Sequence, residues 1–210
     1  MRTGKKVGLL LLGCGAFDGT DPLEAILAAL AVEEAGHEVV ALSLEGEQHH
    51  VVDHASTETA DNEVRDILSE SARIYRGIIH VLGEGVNPHL DALILPGGQG
   101  VVKQLLTDGG ASGLGEVREP AAGFMRRLHE ARCPIGAVSL AEFILSRLFG
   151  PFPGGKGCLD LPAAGVLEDP ERLLYLTPGQ ISAKGLPQLT EGMRALVRAL
   201  LPEADRAFGT

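Results

Sequence analysis

The chain has 210 residues, 45% of them hydrophobic, and 18 Lys and Arg against 28 Asp and Glu give a net charge of −10. That content suits one soluble domain with a real core, while the acidic balance and the lack of any Lys/Arg-rich run argue against nucleic acid and anionic membranes as partners. The apolar run nearest the N-terminus, residues 7–12, is too short for a signal segment or a membrane span, so the cytoplasm is the expected compartment.

In chain order, VGLLLL (7–12) is a short continuous apolar run ended by GCG, the pattern of a strand buried on both faces. PLEAILAALAVEEAG (22–36) repeats Leu23, Ile26, Leu27 and Leu30 at helical spacing, with Asp21 as N-cap, Pro22 at the first helical position and Gly36 closing the helix. EVVALSL (38–44) is the next strand. NEVRDILSESARIYRG (62–77) reads as an amphipathic helix turning Val64, Ile67, Leu68 and Ile74 inward, and IIHVL (78–82) as a short strand. DALILPGGQG (91–100) is a strand and then a glycine turn; VVKQLL (101–106) begins a helix and PAAGFMRRLHEARC (120–133) is another. PIGAV (134–138) is a strand, LAEFILSRLF (140–149) a helix, ERLLYLTP (171–178) the last strand and PQLTEGMRALVRALL (187–201) the last helix. The Gly/Pro-rich stretches 107–118 and 150–165 read as loops. This alternation predicts a single domain over 1–210, a three-layer α/β sandwich with a mainly parallel sheet.

Such sheets place their sites beyond the carboxyl ends of the strands, where three turns of this chain fall. Ser139 sits at a strand-to-helix junction, with Ala137 two residues before it and Ala141 two after. Small residues there suit a nucleophile elbow, though glycine is the commoner choice; an N-cap serine fits the same position. In PGGQG (96–100), glycine N–H groups at a helix start could face an oxyanion, or the glycines could serve only a tight turn. Glu24 lies early in the first helix, either as a first-turn acid complementing the helix dipole or as a carboxyl with a raised pKa on an apolar face near a crevice. GCGAFDG (13–19) lacks the third glycine of a dinucleotide fingerprint, and Cys14, Cys133 and Cys158 make neither a disulfide framework nor a zinc site. No cofactor and no metal are expected. The seven histidines (37, 49, 50, 54, 80, 89, 129) all precede Ser139, so the hydrolase order of Ser, acid, His cannot be met.

The set GCGAFDGTDPLEA (13–25), VVDHAS (51–56), EVRDILSESARIYRG (63–77), DALILPGGQGVVKQL (91–105) and PIGAVS (134–139), in this order, resembles the ElbB-like (enhancing lycopene biosynthesis, glyoxalase-like) family of the ThiJ/PfpI, class I glutamine amidotransferase-like superfamily. The resemblance implies a flavodoxin-like fold, a homodimer, and an elbow residue assisted by a glutamate from the first helix. On this chain those positions are Ser139 and Glu24, with Gly97, Gly98 and Leu140 facing an oxyanion or ligand. Cys14 and Asp18 fall in the family's first glycine-rich loop, and His54, Arg65 and Arg73 match polar positions near it. The departures are a serine where the family has cysteine, Gln99 in place of an aromatic, a shorter segment after Phe149, and no H-x-E, so glutaminase activity is not expected. An alcohol cannot be ionised by fields that make a thiolate. The chain is therefore read as a weak or inactive relative that binds a small carbonyl or anionic metabolite. The alternative is a cofactor-free glyoxalase-type enzyme acting on 2-oxoaldehydes, with Ser139 or Cys14 as nucleophile.

Overall fold

A strand covered on both faces needs apolar side chains at every position. The computed structural model describes residues 4–83, 89–111 and 115–202, so residues 112–114 of the predicted 107–118 loop lie outside the described residues. Within the first apolar run, Val7, Leu9 and Leu11 enter the layer on one side of the sheet, and Leu10 and Leu12 the layer on the other. The strands are β1 (Lys6–Leu10), β2 (Glu38–Ser43), β3 (His80–Val81), β4 (Ala92–Leu95), β5 (Ile135–Val138), β6 (Leu167–Asp169) and β7 (Leu174–Thr177). They form one seven-stranded sheet in the order β3-β2-β1-β4-β5-β7-β6. Every pairing is parallel except β6 against β7. The chain moves one way from β1 to β2 and β3, then returns to lay β4 on the other side of β1, which makes the β1/β4 boundary the switch point where such folds open a crevice.

The helices are α1 (Pro22–Glu34), α2 (Ile67–Ile74), α3 (Gln99–Leu105), α4 (Ala121–Glu130), α5 (Glu142–Phe149) and α6 (Leu186–Leu200). Residues of α1 and α6 share an apolar layer with Val7, Leu9, Ile94 and Val138, while residues of α3, α4 and α5 share the other with Leu10, Leu93, Leu95 and Ala137. This is the three-layer sandwich that the alternating pattern predicts.

Four details depart from the sequence reading. On α1 the buried residues are Glu24, Ala25, Ala28, Ala29, Ala31 and Val32, whereas Leu23, Ile26 and Leu30 are 43%, 50% and 41% exposed. The helix is apolar on every side, so its leucines do not mark the inner face; its alanines do, because small side chains let it lie close against α6 and the sheet. Val64 precedes α2 and is exposed, not inward. The edge strand β6 (LED) was not expected, because one leucine followed by two acids is no apolar run. A 3-10 turn, Ser139–Ala141, precedes α5 and takes the first residues of the predicted 140–149 helix. The 150–165 loop is tied back to α5 where Cys158 N–H donates to Glu142 Oε2 at 2.6 Å.

Candidate functional site

Four consecutive strands of the sheet, β1, β4, β5 and β7, each end in a turn that reaches one carboxyl group. After β1, Asp21 caps α1, its side chain accepting from the N–H groups of Leu23 and Glu24 at 2.9 and 3.3 Å, and Pro22 follows at the first helical position. This fixed start turns Glu24 inward to 1% exposure. After β4, Gly97 N–H donates to Glu24 Oε2 at 2.8 Å. After β5, Ser139 Oγ donates to the same oxygen at 3.1 Å. After β7, Gln180 N–H donates to Glu24 Oε1 at 2.9 Å, and Gln180 Nε2 to Asp21 Oδ2 at 2.7 Å.

The glycines here are dictated by close approach. A Cβ on Gly97 would lie 2.0 Å from Ser139 Oγ and 2.6 Å from the Val138 carbonyl oxygen. A Cβ on Gly179, at φ +56°, would lie 2.2 Å from Glu24 Oε1. Burial pushes the Glu24 carboxyl up to about 7, the nearby Asp21 charge adding to it, while the N–H groups of Gln180 and Gly97 and the Ser139 hydroxyl pull it back.

Ser139 itself sits at φ +47°, the left-handed region that non-glycine residues rarely adopt. It is 4% exposed. It is therefore an elbow and not a helix cap: its hydroxyl serves Glu24, and α5 has no side-chain cap. The structure thus brings Ser139, Glu24 and Gly97 together, but it corrects the role expected of Gly97. That N–H is spent on Glu24 and does not face an oxyanion. Gly98, at φ +118°, is needed where the 96–100 turn meets the first loop, since a Cβ there would lie 2.5 Å from the Gly19 carbonyl oxygen. Leu140 is the second residue of the short turn that Ser139 opens, where a first-turn N–H has no acceptor within the helix.

The secondary candidates gather elsewhere. Asp18 is buried and its Oδ2 accepts from Val52 N–H at 2.8 Å. His54 stacks on Phe17 with centroids 5.1 Å apart, places Nδ1 3.0 Å from the Val52 carbonyl oxygen and lies 3.6 Å from Asp18 Oδ1. Burial first, then the Glu70 charge, pushes the half-buried Cys14 thiol up, and its charged neighbours are Glu70, Arg73, Asp18 and Arg65. These residues tie the first loop to the 50s loop and α2. Among the described residues, no histidine is within hydrogen-bond reach of Ser139. The sequence reading missed Gly179 and Gln180. Their one signal was the Pro178-Gly179 pair at the end of the last predicted strand, at the same edge of the sheet as Ser139.

No protein-family model matches the chain. The human protein named "Glutamine amidotransferase-like class 1 domain-containing protein 3, mitochondrial" is 29% identical over 95% of this chain and 84% of its own. The rat "ES1 protein homolog, mitochondrial" is 29% identical over the same shares. A crystal structure from Ehrlichia chaffeensis, described as an isoprenoid biosynthesis protein with an amidotransferase-like domain, superposes with a TM-score of 0.85 at 24% identity, covering 94% of this chain and 99% of that one. Relatives of these names along nearly its whole length, together with the fold described above, support placing the chain in the ThiJ/PfpI, class I glutamine amidotransferase-like superfamily.

Proposed function

We propose that this protein is a non-catalytic, ElbB-like member of its superfamily that binds a small carbonyl compound or anionic metabolite over Ser139. The observation that carries this reading is the hydrogen bond from Ser139 Oγ to a Glu24 whose remaining partners are backbone donors. Glu24 is the base within reach, with a carboxyl near 7. An aliphatic hydroxyl ionises roughly like water, ~15.7, so moving its proton to Glu24 is uphill by about 12 kcal/mol at 1.36 kcal/mol per pKa unit. A thiol at ~8.5 would face only about 2 kcal/mol. One atom separates a group that attacks from one that only hydrogen-bonds. The E. chaffeensis relative, described as an isoprenoid biosynthesis protein, supports the ElbB-like placement.

A second reading, a cofactor-free glyoxalase-type enzyme, is favoured by the same carboxyl. A group near 7 is poised for proton transfer at neutral pH. Lactate formation from methylglyoxal by wild type, Ser139→Cys and Ser139→Ala separates the two. The binding reading expects little turnover by wild type and a gain with Ser139→Cys. Good wild-type turnover that Ser139→Ala abolishes would make the serine a working nucleophile and end the binding reading.

We also propose a homodimer paired through α1. Its outer face shows Leu23, Ile26 and Leu30 with no charged residue exposed between 22 and 32, and a helix apolar on all sides is normally covered. The stripe presents on the order of 200 Å² per copy, enough for the apolar centre of a small specific interface, whose total is ~1,200 Å².

A further inference from the structure

Segments that follow β1, β2 and β4 meet at one amine beside the switch point of the sheet. Lys103, on α3, donates from Nζ to the Phe17 carbonyl oxygen at 3.0 Å, on the loop after β1. The same nitrogen lies 3.1 Å from His50 Nε2, on the loop after β2. His49 stands edge-on to His50, with ring centroids 5.4 Å apart. Lys103 and His50 are half-buried and His49 is exposed, so the cluster is open to solvent. Among the described residues no carboxylate pairs with Lys103. The acid whose charge reaches it is Asp18, whose Oδ2 accepts from Val52 N–H and whose Oδ1 lies 3.6 Å from His54 Nε2. Nζ thus has two acceptors, a carbonyl oxygen and the Nε2 of a neutral imidazole. A neutral amine has two N–H bonds and a lone pair, whereas an ammonium has a third N–H, which nothing among the described residues accepts. Burial pushes Lys103 down, and burial followed by the Lys103 charge pushes His50 down. A lysine with no counter-charge, set beside a second basic group, is the arrangement that makes an amine nucleophilic toward a carbonyl carbon.

We propose that Lys103 forms an imine with a small aldehyde, with His50 carrying the proton, at a site separate from Ser139. The Nζ lone pair attacks the carbonyl carbon, and the C–N bond forms as the C=O π pair moves onto oxygen. His50 Nε2 takes one N–H proton and returns it to that oxygen, giving a carbinolamine. The C–O bond then breaks, and the hydroxyl leaves with the second N–H proton as water. Amine and aldehyde become imine and water, with no change of oxidation state. The elbow takes no part, so this site stands or falls apart from the reading of Ser139.

Reductive trapping with propanal and excess cyanoborohydride at pH 7, read by peptide mass spectrometry over the five lysines, tests this. Each unit by which an amine is lowered gives about tenfold more free base at pH 7. Lys103 should therefore be alkylated at least about tenfold faster than the exposed Lys156 and Lys184, and its rate should saturate with propanal. His50→Asn, which keeps a polar side chain but no imidazole, should slow Lys103 at least about tenfold while the thermal transition stays in place. Ser139→Ala should label Lys103 like wild type, and Lys103→Arg should lose the saturable label. Alkylation of Lys103 no faster than that of Lys156 and Lys184 would overturn the proposal. A rate that rises linearly with propanal would reject a binding site at this amine. Unchanged labelling in His50→Asn would remove His50 from the proton transfer. Loss of labelling in Ser139→Ala would end the separation from the elbow.

Discussion

Glu24 ties the stability of this protein to pH, and the direction runs opposite to the usual carboxylate. Its folded value is about 7 against an ordinary 4.5, with burial as the main cause. The folded state thus holds this proton more tightly than the unfolded chain does, so the group's contribution is complete below about pH 4.5 and lost as pH rises through 7. The whole difference is about 3 kcal/mol at 1.36 kcal/mol per unit, and about 2.5 kcal/mol of it disappears between pH 5 and pH 8. The perturbation is Glu24→Gln, which cannot titrate. Its amide sets an N–H against a backbone N–H, a cost of about 1–3 kcal/mol that is the same at every pH. Urea unfolding of both proteins at pH 5, 6, 7 and 8 should show the wild-type advantage shrinking by about 2.5 kcal/mol across the range, most steeply between 5 and 7. A difference that stays flat, or grows with pH, would refute the assignment of a buried proton to Glu24.

Gly97→Ala drives a Cβ to 2.6 Å from the Val138 backbone oxygen, which no side-chain movement relieves; a loss of about 3 kcal/mol in urea unfolding is expected. Arg172→Ala removes the guanidinium that binds Asp169 and the carbonyl oxygens of Phe149, Gly150 and Pro151. It should cost about 2 kcal/mol and open the 150–165 loop to limited proteolysis. Ile26→Glu places a charge at the centre of the α1 stripe and should halve the mass seen by light scattering without lowering the thermal midpoint; an unchanged mass would reject pairing through α1.

The sheet was legible because β1, β2, β4 and β5 are covered on both faces and write themselves as apolar runs, whereas β6 lies at an edge, is half exposed and writes nothing. Helix α1 misled for a related reason. Periodicity reports an inner face only when the outer face is polar, and here both are apolar. In the site, Ser139, Glu24 and Gly97 could be named from their places at strand ends and from the family resemblance. What could not be read was the traffic of hydrogen bonds. Nothing in PGGQG says that Gly97 N–H points at an acid from another turn, and Gln180 lies 156 residues from its partner Glu24. Such contacts are set by tertiary geometry, not by local pattern.

The left-handed backbone at Ser139 has a consequence for what a side chain there is worth. A non-glycine residue held at φ +47° loses about 1–2 kcal/mol relative to glycine, and the hydrogen bond to Glu24 returns about 1 kcal/mol. Glycine at 139 would therefore be as stable as serine or slightly more so. Fold stability alone therefore does not account for a hydroxyl at this position. Unfolding free energies of Ser139→Gly beside wild type would check this balance: an equal or slightly higher value is expected, and a loss of more than about 1 kcal/mol would show the hydroxyl to be structural.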